Sequence, residues 1–198
     1  MKKLTTLLLL FYVAISFGQR KYAADKYFKE FAYIKSAELY KEIYKKGDST
    51  KLVLSRLGDS YYFNGNTSAS EYWYSKLFKI YKKDSLSSKY YFRYAQSLKS
   101  NGKSKKSDEW LLKLSKFNKL DSRVKSLKDN TSYVSDYKSQ DFINIHDLST
   151  NSKYSDYGIF MMNNKVLFSS TRPKSNSSDE RLYKWNKQPY YNIYKAKK

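Results

Sequence analysis

Between residues 19 and 120 apolar side chains recur at the three- and four-residue spacing of amphipathic helices, and the helical pattern itself repeats. Ala23-Ala24 is followed by Tyr27, Ser36, Tyr40 and Ile43. Leu57-Gly58 is followed by Tyr61, Ser70, Tyr74 and Leu77 at the same offsets, and Tyr94-Ala95 by Leu98, Ser107, Leu111 and Leu114. Ala24 precedes Gly58 by 34 residues and Gly58 precedes Ala95 by 37, the surplus falling between Lys83 and Ser88. Gly47-Asp48, Asn64-Gly65-Asn66 and Asn101-Gly102-Lys103 interrupt the period where helices must end. The pattern predicts three helix-turn-helix units over 19–120. Small residues such as Ala24, Gly58 and Ser70 let paired helices approach, and large ones fill the groove between them.

The texture changes after residue 120. Asp121 to Gln140 is polar, with Val124, Leu127 and Tyr133 as its main apolar points, which predicts a capping helix running into a linker over 121–140. Beyond Asp141 short β-type runs take over: Phe142-Ile143-Asn144-Ile145, Tyr157 to Met162, Lys165 to Ser170, and Tyr190 to Ala196. Asn163-Asn164 between the second and third reads as a hairpin turn. Met161 and Met162 are expected to serve core and edge packing, as are Trp73, Trp110 and Trp185. Arg172 is expected to tie a strand end to a neighbour. The fold class is therefore mainly α, a helical solenoid followed by a short β region over 141–198.

Residues 1–18 have a different character. Lys2 and Lys3 precede an uncharged apolar run from Leu7 to Phe17, too short to span a bilayer comfortably. Ser16 and Gly18 stand at the −3 and −1 positions before Gln19, where a signal peptidase requires small side chains, so cleavage after Gly18 is expected. An uncleaved anchor stopped by Arg20 and Lys21 is the competing reading. No second apolar run of membrane length follows, and after removal of the leader no transmembrane segment is expected.

Composition narrows the choice of partners. The chain carries 39 Lys and Arg against 18 Asp and Glu, a formal charge of +21, with 22 Tyr and 11 Phe. Aromatics at this density argue for packed structure and against disorder. The charge suits a nucleic-acid surface, an anionic polymer or lipid head group, or simply a solvated lysine-rich exterior, and export removes the first. With no Cys there are no disulfides, thiolate metal sites or lipidated cysteine. His146, beside Asp147, is the single histidine and cannot build a metal site or a catalytic triad alone. No cofactor is expected, and the chain is not read as an enzyme.

Leu57-Gly58-Asp59-Ser60-Tyr61 and the 34-residue spacing resemble the tetratricopeptide repeat. Stacked first helices in such repeats line a concave surface, and the pattern directs Lys21, Asp25 and Phe28, then Ser55, Asp59, Tyr62 and Phe63, then Phe92, Gln96 and Lys99 toward it. Acidic, amide and aromatic groups in one groove suit a peptide or a partner segment. The alternative is that Asp25 and Asp59 pair with neighbouring lysines on a wet surface.

Asn151 to Gly158, Val166 to Arg172 and Tyr183 to Tyr194 resemble the opening blade of a TolB-type β-propeller, although Ile159 stands where that family commonly has proline. Signal peptide, three repeats and propeller start, in that order, resemble the N-terminal part of OmpA-family envelope proteins of the Bacteroidota. That resemblance implies a periplasmic, outer-membrane-associated protein whose partners are envelope proteins, of the type IX secretion and gliding-motility kind. Peptidoglycan would be gripped only by a C-terminal domain absent from these 198 residues, so an incomplete chain is expected. Asp84-Ser85-Leu86 resembles the O-glycosylation motif of the same bacterial group.

Overall fold

The computed structural model describes residues 18–81, 85–117, 119–129, 146–174 and 181–197. Residues 1–17 of the expected leader, the polar stretch 130–140 and the expected strand Phe142 to Ile145 lie outside them. The chain divides into two compact units, Met1–Asp136 and Tyr137–Lys198. The first is helical and the second holds a small antiparallel sheet.

In the first unit a helix over residues 18–29 (α1) is followed by α2 (Tyr33–Lys45), α3 (Lys51–Phe63), α4 (Thr67–Ile80), α5 (Ser88–Ser100) and α6 (Ser104–Leu112). The last turn of α6 tightens into a 3-10 helix, Lys113–Lys116, before α7 (Ser122–Asp129). Each helix packs on the next along the chain, and contacts also run between alternate helices. Phe28 of α1 meets Phe63 of α3, Tyr44 of α2 meets Trp73 of α4, and Phe78 of α4 meets Trp110 of α6. The unit is thus two layers, with α1, α3 and α5 in one and α2, α4 and α6 in the other.

The positions repeated in sequence are those buried between the layers. Tyr40, Ile43, Leu57, Tyr74, Leu77, Leu98 and Leu114 all belong to one buried cluster. Fully removing each such side chain from water stabilises the fold by about 1.5–3 kcal/mol. The repeated serines bind one helix backbone to another, since Ser36 donates to the Ala24 carbonyl at 3.0 Å and Ser70 to the Gly58 carbonyl at 3.3 Å. Each hydroxyl sits where helix backbones meet, close enough to reach the carbonyl because the neighbouring side chain is absent or a single methyl. Gly58 is the tightest case, since a Cβ there would lie 2.5 Å from the Tyr74 ring.

Helix ends follow local signals. Gly65 holds a φ of +76° after α3, in the left-handed region that side chains with a Cβ disfavour. Asn66 then caps α4 by accepting from the Ala69 amide at 3.0 Å. At the far end α7 closes the helical stack by burying Val124 in the shared core. Leu86, after the segment of surplus length, is buried in that core as well, while Ser85 beside it is exposed.

In the second unit β1 (Asp156–Met162), β2 (Lys165–Ser170) and β3 (Asn192–Lys197) form an antiparallel sheet in the order β1-β2-β3. Met162 pairs with Lys165, leaving Asn163-Asn164 as a two-residue turn with Asn163 at a φ of +52°. A bulge at Gly158-Ile159 shifts the β1 register by one residue between the Tyr157–Ser169 and Phe160–Leu167 pairs. Arg172 ties the start of β1 to the end of β2: its Nη2 donates to Asp156 at 2.8 Å and to the Thr150 carbonyl at 2.7 Å. Hydrogen bonds from Ser170 and the Arg172 guanidinium hold the Asp156 carboxyl well below the usual carboxylate range. The expectation for Met161 and Met162 is corrected here: both are exposed, together with Tyr157, Ile159 and Phe160. Among the described residues no second layer covers these side chains.

Candidate partner-binding face

The side chains expected to face a partner come from α1, α3 and α5, one layer of the helical unit, and they divide into two groups. The carboxylates turn inward. Asp59 is 2% exposed, and its Oδ1 accepts from Tyr74 Oη at 2.6 Å and from Arg93 Nη1 at 2.6 Å. One unit earlier Asp25 accepts from Tyr40 Oη at 3.2 Å and lies 2.9 Å from Arg56 Nε. Asp, Tyr and Arg therefore form the same triad twice, with Asp and Tyr in one repeat and Arg in the next. Buried charge of this kind requires paired, hydrogen-bonded neighbours.

Burial and the Asp59 carboxylate push the Tyr74 hydroxyl well above its ordinary value, and the same two causes, acting through Asp25, raise Tyr40. Burial works against the charge of Arg93, but Asp59 more than offsets it and raises the guanidinium. In the third unit Gln96 and Leu111 occupy the Asp and Tyr positions, so the charge and the hydroxyl disappear together.

Asp59 thus takes an internal structural place, in correction of its expected role in the groove. Ser55 is likewise buried, its hydroxyl donating to the Leu52 carbonyl at 3.1 Å. Neither offers surface to a partner. Asp25 is half-buried and committed to Arg56 and Tyr40. The partners of these carboxylates are arginines and tyrosines, whereas lysine pairing was the alternative expected from sequence; Lys29 alone adds a looser contact to Asp25, at 3.7 Å.

Three of the four expected aromatic side chains come together. Phe28, Tyr33 and Phe63 form one cluster, Phe63 stacking on Tyr33 at 5.0 Å and Phe28 meeting Tyr33 edge-on at 5.3 Å between ring centres. Tyr62 joins Phe63 at 5.4 Å and donates its hydroxyl to the exposed Gln96. Phe92 lies apart from them, under Arg123 of α7, whose Cζ is 4.4 Å from its ring centre. Lys21 bonds Asp48 at 3.2 Å near the α2–α3 connection, and Lys99 is exposed at the end of α5.

Three functional candidates were missed in the sequence. Arg56 stacks on Phe28 at 4.1 Å, Arg93 on Phe63 at 4.6 Å, and Arg123 on Phe92. Each guanidinium covers an aromatic face and faces an acidic partner, Asp25, Asp59 or Asp121. The signal was present: Arg56 and Arg93 stand two residues before Gly58 and Ala95, at one repeat position. The opposite layer carries another cluster, where Lys76 donates to Tyr44 Oη at 2.7 Å and lies over the Tyr44 and Tyr72 rings.

No family model matches the chain, and no curated protein is similar to it.

Proposed function

We propose that the helical unit is a tetratricopeptide-type scaffold that holds a partner protein on the face built by α1, α3 and α5. The observation that carries this reading is the half-buried ridge of Phe28, Tyr62 and Phe63 with Arg56 and Arg93 stacked on it, and Phe92 apart from it under Arg123. Tyrosine and arginine are among the side chains that contribute most at protein interfaces; the tyrosine ring has little flexibility to lose, and Arg56 and Arg93 are already held by Asp25 and Asp59. The acidic groups beneath neutralise the guanidinium charges, so a partner segment meets aromatic area and donor groups instead of a field of one sign. Repetition of the Asp–Tyr–Arg triad holds successive units in one relative setting, which pre-organises the face.

The sheet of the second unit is read as the start of a TolB-like β-propeller. The leader, the repeats and this sheet together favour an exported protein, periplasmic and associated with the outer membrane, within an OmpA-like envelope assembly. Peptidoglycan attachment would come from a separate domain.

The test is site-specific photo-crosslinking with the full-length chain in cells of its own source. A crosslinker at Gln96 or Tyr62 is expected to trap an envelope protein that one at Lys41, on the opposite layer, does not. With the crosslinker at Gln96, Tyr62→Ala should strongly reduce that product without changing the helical circular dichroism. Equal trapping from Lys41, or a product indifferent to Tyr62→Ala, sinks the reading.

A further inference from the structure

The distal end of the helical unit carries a second surface, separate from the aromatic ridge. Along α6 and its 3-10 extension Lys105, Lys106, Leu112 and Lys116 are exposed, and the turn that follows adds Phe117, Lys119 and Leu120. Leu120 is 89% exposed, Phe117 45% and Leu112 41%. Glu109 is the acidic group on the same exposed stripe. The segment is nonetheless firmly seated: Ser107 and Leu114 are buried on its other side, and Phe117 retains an edge contact with Tyr91 at 5.1 Å. Exposed leucines interleaved with lysines on a pinned amphipathic segment combine two attractions, apolar insertion and charge.

We infer that this end of the helical unit docks on a bilayer surface containing anionic lipid, Leu112, Phe117 and Leu120 entering the head-group boundary while Lys105, Lys106, Lys116 and Lys119 meet the phosphates. The lysines alone would suit any polyanion, and the apolar side chains select the bilayer. Charge complementarity names the lipid, since a basic rim around apolar points matches an anionic leaflet and no zwitterionic one. This surface shares no residue with the partner face, so the two readings stand or fall separately.

The experiment is sedimentation of the full-length chain with vesicles of phosphatidylcholine alone or with phosphatidylglycerol added. Binding to phosphatidylcholine alone measures apolar insertion, to which the run Leu7 to Phe17, identical in every variant, contributes equally throughout. Lys105→Gln, Lys106→Gln, Lys116→Gln and Lys119→Gln together should weaken binding to the anionic vesicles about six-hundredfold, at about fivefold per lysine. Leu112→Ser with Leu120→Ser should also weaken it, while leaving binding to dextran sulfate unchanged; neither position packs in the core, so the fold is retained. Wild-type vesicle affinity in both variants overturns the inference. So does a leucine variant that keeps its vesicle affinity while the lysine variant loses vesicles and dextran sulfate alike, because the partner is then a soluble anionic polymer.

Discussion

Arg93 Nη1 and Asp59 Oδ1 meet at 2.6 Å across the boundary between successive repeats, 34 residues apart in sequence. Tyr74 reaches the same oxygen from within the repeat of Asp59. A single carboxylate therefore joins helix pairing inside a unit to stacking between units.

Removing that carboxylate should be costly. Asp59→Ala strands a half-buried guanidinium and a buried hydroxyl, and is expected to destabilise the chain by about 3–5 kcal/mol in urea unfolding. Asp25→Ala removes the corresponding carboxylate where its side chain is 29% exposed, and about 1 kcal/mol or less is expected. Equal losses at the two sites would show that burial does not set the difference.

Gly58 offers a test of close packing. Alanine raises helix propensity by about 1 kcal/mol relative to glycine. Its methyl would collide with the Tyr74 ring, which is fully buried and anchored to Asp59. Overpacking of this kind costs about 1–3 kcal/mol, so Gly58→Ala is expected to lower the melting temperature. Ala24 already occupies the matching place in the first unit, and because its methyl is fully buried Ala24→Gly should cost the propensity difference plus that burial, about 2 kcal/mol together. A melting temperature raised by Gly58→Ala would contradict the contact.

The raised tyrosines predict alkaline sensitivity. Tyr40 and Tyr74 ionise near pH 10 in the unfolded chain and well above it in the folded one. The unfolded state releases these protons first, so the stability is complete below pH 10 and declines as pH rises beyond it. Each residue contributes a slope of about 1.4 kcal/mol per pH unit. Tyr74→Phe should flatten the decline by that amount, measured as urea unfolding at a series of pH values above 10. An unchanged slope would mean that Tyr74 ionises freely in the folded chain.

The periodic positions made the helical layers legible. Ser36, Ser70, Tyr40, Tyr74, Ile43 and Leu77 recur in sequence because each repeat solves the same packing problem, and they are the side chains found buried between the layers. The hairpin was equally readable, since Asn163-Asn164 between two alternating runs leaves the backbone few other choices. The face was legible only in part. Its aromatic members were found, but Asp59 and Ser55 were assigned outward, and Arg56, Arg93 and Arg123 went unnoticed.

Local sequence thus determined where helices and strands begin and end, because period, glycine turns and caps act within a few residues. Tertiary structure alone decided which way each charge turned. An aspartate on a helix face is equally at home in water or against a neighbour, and the choice rested on an arginine arriving from the next repeat at the distance where pairing offsets desolvation.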